Sequence, residues 1–306
     1  MSYHLGKNIL ATVAYYDAMD FPLTIFEIWK HLIVHDRDHK GDQSCRLAEV
    51  VAALASDCRP ERVMERDGFY CLRGRESLIT KRVSVEKLSA GKLRRLRRLA
   101  HIIALVPFVH MFGATGSLAM KHGERGSDWD VFVVLRSGRI WIGRTLLTGF
   151  LHLIGKRRHG DKVNDRVCLN YFVTDDNLRI GMKDLFSAHE YRFLVPLYNF
   201  RLFQVFELKN TWIKEYKPNF HLTTLPNLWM IREHSSWLRI KAAVERLLAR
   251  PNIEQRLAAW QKGKIERNPK THIEGSMIEA HDRALIFLPH PRGPQVFERF
   301  KKRLGA

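Results

Sequence analysis

Two aspartates one residue apart, Asp128 and Asp130, follow a Gly116-Ser117 pair in the stretch "GATGSLAMKHGERGSDWDVFVVL". Alternate side chains of an extended chain share a face, so the two carboxylates project together while Trp129, Val131 and Val133 take the other side. Neighbouring carboxylates repel unless a cation neutralises them. Hard oxygen ligands on a strand suit Mg2+, which keeps several waters and recruits substrate phosphates. Upstream, Gly116 allows close backbone approach, Ser117 offers a hydroxyl, and "SLAMK" can open a helix whose free N–H groups attract an anion. Lys121 and Arg125, between the two halves, are candidate phosphate contacts, with ordinary loop charge as the alternative. Trp141 and Tyr171 could stack a base, although buried packing is the simpler reading. His110 and His122 follow no ligand spacing.

Such side chains need strands and helices to hold them. "VPFVHMF", "DWDVFVVL" and "RVCLNYFV" read as strands, "WIGRTLLTGFLHLI" as a helix, and helical signal resumes through "LFSAHEYRFLVPLYN". This alternation predicts an α/β or α+β domain over residues 106–225.

The order of strand, Gly-Ser, short helix and D-x-D strand in "ATGSLAMKHGERGSDWDVFVV" resembles the signature of the DNA polymerase β-type nucleotidyltransferase superfamily. The whole chain also resembles bacterial proteins that join a winged-helix-like front to such a domain. The resemblance implies an α+β fold with a mixed sheet flanked by helices, a nucleoside triphosphate substrate, and metal-assisted transfer of a nucleotidyl group to a hydroxyl. It places Gly116 and Ser117 on the triphosphate and Asp128 and Asp130 on Mg2+. The family's third carboxylate lies on a later strand, where Asn170, which shares strand parity with Cys168 and Phe172, is the best positional match; Asp165 would fall on the opposite face if the strand reached it. An asparagine oxygen can ligate a metal but accepts no proton at neutral pH. Two readings follow: a nucleotidyltransferase with a modified metal site, or a nucleotide- or nucleic-acid-binding regulatory protein with little turnover.

Around this core, residues 1–75 predict a winged helix-turn-helix-like domain. Its helices run from Leu5 to Met19, from a Thr24/Glu27 capping box, and from Arg46 to Ala55, followed by a hairpin turning at Asp67-Gly68. The third helix is poor in cations, which favours docking over reading DNA, while Arg62, Arg66, Arg73 and Arg75 line the hairpin. Residues 76–105 predict basic linker helices. There Lys81, Arg82, Lys87, Lys92, Arg94, Arg95, Arg97 and Arg98 form either a solvated face or a phosphate track, above a stripe of Leu93, Leu96 and Leu99. Residues 226–306 read as a helical region ending in a helix near Pro294, with Val296, Phe297, Phe300 and Leu304 as its apolar stripe.

In composition the chain is globular: 306 residues, 45% hydrophobic and 27% charged. Its 51 Lys and Arg against 32 Asp and Glu leave a net charge of +19, which favours an anionic partner, RNA first. Ile140 to Gly155 is apolar but short and broken by Arg144 and His152, so no membrane insertion is expected. Cys45, Cys58, Cys71 and Cys168 form no CxxC pair, a pattern that predicts reduced thiols and a cytoplasmic protein. Oligomeric state is open at this level.

Overall fold

A computed structural model describes residues 2–35, 43–56, 60–232 and 235–305, with the side chains at 2–3 and 235–236 excepted. Cys58, Asp36, Asp38 and Asp42 lie outside the described residues. The architecture is mixed α+β with two sheets.

The first 75 residues supply α1 (Ser2–Asp17), the short β1 (Leu23–Thr24), α2 (Ile25–Lys30), α3 (Leu47–Ala55), β2 (Val63–Arg66) and β3 (Phe69–Leu72), with the strands ordered β1-β3-β2. Thr24 caps α2 through its hydroxyl and the returning Glu27 carboxylate. Asp67 and Gly68 both take positive φ, 55° and 77°, as a two-residue turn of right-handed twist requires. The basic run then forms one 27-residue helix, α4 (Ser77–Ile103), in place of several linker pieces. Leu93, Leu96 and Leu99 are buried along it as their spacing demands.

The second sheet is built from β4 (Val109–Ala114), β5 (Trp129–Leu135), β6 (Val167–Thr174), β7 (Val195–Tyr198), β8 (Met277–His281) and β9 (Ala284–Leu288). Its order is β7-β4-β5-β6-β9-β8, with β5 and β6 parallel and every other neighbouring pair antiparallel. The connecting helices are α5 (Gly116–Ala119), α6 (Ile140–Leu153), α7 (Leu185–Arg192), α8 (Phe200–Lys209), α9 (Ser235–Leu248), α10 (Pro251–Glu266) and α11 (Gly293–Leu304). One sheet face, with Met111, Phe132, Val134 and Val173, shares a core with α1, α7, α8 and α11. The other, with Val131, Val133, Leu135 and Phe172, packs on α4 and α6.

The structure departs from the sequence pattern at two places. The stretch read as helical through "LFSAHEYRFLVPLYN" breaks after Arg192 into β7, whose Pro196 sits where a proline is tolerated, on the edge of the sheet. Residues 226–306 are not all helical: β8 and β9 form a hairpin that extends the sheet beyond β6. Its two-residue turn, Asp282-Arg283, carries no glycine and so gives no strong hairpin signal. Of the apolar stripe on α11, Val296 and Phe300 are buried while Phe297 is exposed. Among the described residues, no helix is long and apolar enough to cross a membrane.

Candidate active site

Asp128 lies just ahead of β5 and Asp130 within it, and both face β6 across the parallel pair. Asp130 is opposite Cys168; two positions later Phe132 is opposite Tyr171, so one residue of β5 faces two of β6 between them. This bulge breaks the expected parity at Phe172, which is buried in the opposite core, while Cys168 and Asn170 both reach the aspartates: Asn170 Nδ2 donates to Asp130 Oδ1 at 3.2 Å. Tyr171 turns to pack on Phe132, with ring centroids 5.3 Å apart. Ligand atoms of Asp128, Asp130 and Cys168 come within 4.8 Å of one another, an arrangement able to hold a metal ion.

The Gly-Ser turn closes on this cluster. Gly116 has φ +62°, and a Cβ built on it would stand 2.8 Å from Asp130 Oδ2. Only glycine lets the chain pass so close in that conformation. The Thr115 amide completes the contact by donating to the Asp130 carbonyl at 3.0 Å.

Lys92, 1% exposed on α4, fixes the loop between the two halves. Its ammonium donates to the Arg125 carbonyl at 3.0 Å, the Ser127 carbonyl at 2.7 Å and Ser127 Oγ at 3.1 Å. Arg125 therefore takes part through its backbone, and its side chain is exposed. Lys121 pairs with Glu86 on α4 at 2.9 Å. Neither is drawn to the carboxylates by these contacts. Asp165 pairs with Arg95 and Lys92, away from the metal-type cluster.

Three residues near the cluster have no counterpart in the sequence motif. Arg158, from the basic segment that leads into β6, donates from Nη1 to Asp128 Oδ2 at 2.7 Å. Glu190 on α7 hydrogen-bonds the Gly116 amide and lies within the field of Asp130. Arg292, at the start of α11, lowers the proton affinity of both Asp130 and Glu190. Sequence spacing could not reveal them, because each comes from a different element. Trp141 and Tyr171 take the packing role: Trp141 is buried with Nε1 donating to Asp282.

Burial, then the Asp128 charge, pushes the Asp130 carboxyl up to about 6. Burial and Asp130 likewise lift Glu190 to about 7, and burial lifts the Cys168 thiol to about 12. Acid oxygens this reluctant to ionise sit where a cation would relieve them. Two carboxylates offer hard oxygen donors and Cys168 a softer sulfur, with the Arg158 guanidinium as counter-charge, a set able to take a divalent cation.

Comparisons with family models, with curated proteins and with solved structures found no match.

Proposed function

We propose that the chain is a Mg2+-dependent nucleotidyltransferase of the DNA polymerase β type, moving a nucleoside monophosphate from a triphosphate to a hydroxyl acceptor. The observation that carries this reading is the seating of Gly116 against Asp130: the Gly-Ser turn and the D-x-D strand form one constellation. Asp128 and Asp130 would hold the metal, which supplies charge neutralisation and polarises the phosphoryl group. Gly116 and Ser117 would take the triphosphate, with Arg158, which touches Asp128, and Arg292, whose charge acts on Asp130, as the cations of the site. Asn170 orients Asp130 and cannot accept the proton of the attacking hydroxyl. Glu190 can, and its raised proton affinity suits a general base near neutral pH.

RNA is the favoured acceptor on grounds of charge. Lys87, Arg94 and Arg98 are exposed on α4, and Arg158 on the cluster belongs to a basic segment with Lys156, Arg157, Lys162 and Arg166. The N-terminal element order supports a winged-helix-like unit that docks. Arg62 donates to the carbonyls of Arg303 and Leu304, Arg73 to that of Glu61, and Arg75 pairs with Asp17 and Asp20, so these cations already serve the fold. A second reading, a nucleotide-binding module with little turnover, is favoured by one contact: Glu190 already engages the Gly116 amide that a phosphate would need.

Incubation with labelled nucleoside triphosphates, Mg2+ and total RNA or lysate separates these readings. Transfer and pyrophosphate release that vanish in Asp128→Ala and Asp130→Ala, with circular dichroism unchanged, are expected. Label transfer indifferent to both substitutions would sink the assignment.

A further inference from the structure

Arg158 sits where a bound cation has to sit. Its Nη1 is 2.7 Å from Asp128 Oδ2 and 3.4 Å from Cys168 Sγ, touching two of the three groups of the cluster. The reason is electrostatic, since Asp128 and Asp130 face each other and need an opposite charge between them. The tether, however, is in the main chain: the Arg158 amide donates to the Val167 carbonyl at 3.0 Å, while the side chain is 45% exposed. A long, half-solvated arginine can swing out of the cluster without disturbing β6.

A divalent ion on Asp128 and the guanidinium in its present place exclude each other, because two like charges would share one carboxylate. Once displaced, the guanidinium remains within side-chain reach of the metal. Its planar fork of donors matches a phosphate oxygen pair better than a lysine would. A metal ion of this kind also brings phosphates into its own shell.

We propose that Arg158 is a positioning residue that exchanges partners: it neutralises Asp128 while the cluster holds no metal, and turns to a nucleotide phosphate when a divalent ion takes that carboxylate. This rests on the metal-and-nucleotide reading of the site. It makes two predictions of opposite sign for one substitution. Arg158→Gln removes a competitor of the metal, so the ion binds more tightly in the absence of phosphates. The same change removes a phosphate ligand, so a polyphosphate binds more weakly when metal is present. A merely structural arginine would weaken both, and a simple phosphate contact would leave metal affinity alone.

The test uses the full chain and needs no turnover. Mn2+ is titrated and its free form read by electron paramagnetic resonance, and Mg2+-tripolyphosphate is titrated by calorimetry so that no base has to be guessed. In Arg158→Gln we expect Mn2+ to bind about fivefold more tightly and tripolyphosphate about tenfold more weakly. Arg158→Lys should keep wild-type Mn2+ affinity while losing part of the tripolyphosphate affinity. Equal or weaker Mn2+ binding in Arg158→Gln overturns the proposal, as does unchanged tripolyphosphate binding. If an Asp128→Asn, Asp130→Asn double variant loses Mn2+ while Arg158→Gln matches the wild type, the exchange fails and the metal site stands. If the wild type and Arg158→Gln both fail to bind Mn2+, the metal reading itself falls.

Discussion

Gly116 concentrates the residue-scale argument. Its φ of +62°, and the 2.8 Å that would separate an added Cβ from Asp130 Oδ2, leave no room for a side chain. Gly116→Ala is therefore expected to lose about 1–3 kcal/mol of stability through backbone strain. It should also lose Mn2+ binding, as Asp130 is pushed from its place; urea unfolding and the metal titration measure the two effects. At this scale the motif was readable because Asp128, Asp130, Gly116 and Ser117 are close in sequence. Cys168, Arg158, Glu190 and Arg292 were not, since nothing local in a sequence states which strand register or helix start will face an acid. Phe172 shows the limit most clearly: simple alternation grouped it with Cys168 and Asn170, and a single bulge turned it into the opposite core while Asn170 stayed on Asp130.

Among the elements, α4 carries more structure than its composition suggests. Eight cations on one helix read as a solvated or nucleic-acid-facing run, yet Arg82 pairs with Glu27 and Glu86, and Lys92 is buried under the loop at residues 125–127. A helix pattern cannot separate such internal cations from surface ones, because the buried oxygens they serve lie far away in sequence. Lys92→Met should cost about 3 kcal/mol by leaving the Arg125 and Ser127 carbonyls without their charged donor and Asp165 with Arg95 alone. A lowered thermal midpoint is expected, with faster amide exchange at residues 123–127 in hydrogen–deuterium exchange. Capping and turn chemistry were legible where they are local, at Thr24 and at Asp67-Gly68. The strands β7, β8 and β9 were not, because an edge proline and a glycine-free turn weaken the signals that mark a strand.

At the scale of the whole molecule, the N-terminal unit and the second sheet meet through a buried polar bridge. Lys217 donates to the Tyr16 hydroxyl at 3.2 Å and to the His31 carbonyl at 3.4 Å, and the same hydroxyl hydrogen-bonds His189 Nδ1 at 3.1 Å. Burial pulls the Lys217 ammonium down to about 7. The folded state thus sheds this proton near pH 7, while the unfolded chain keeps it to about pH 10. Stability from this group rises with pH across that window and is lost as pH falls towards 7. The unfolding free energy of the wild type should gain on that of Lys217→Met by about 1.4 kcal/mol per pH unit between roughly pH 8 and 9.5. Denaturant titrations at several pH values measure that slope. The net charge of +19 sets the other global expectation. Retention of single-stranded RNA should fall steeply with salt, and a triple Lys87, Arg94, Arg98 to Ala variant should flatten the log–log dependence by about 2. An unchanged slope would remove α4 from the RNA path.

The late hairpin also has a bearing on the order of synthesis. β6, which presents Cys168 and Asn170 to the aspartates, gains its second neighbour only when residues 284–288 have left the ribosome, and Arg292 follows later still. For more than a hundred residues of translation the nascent strand keeps one open edge, an unpaired row of backbone groups that only the late hairpin closes.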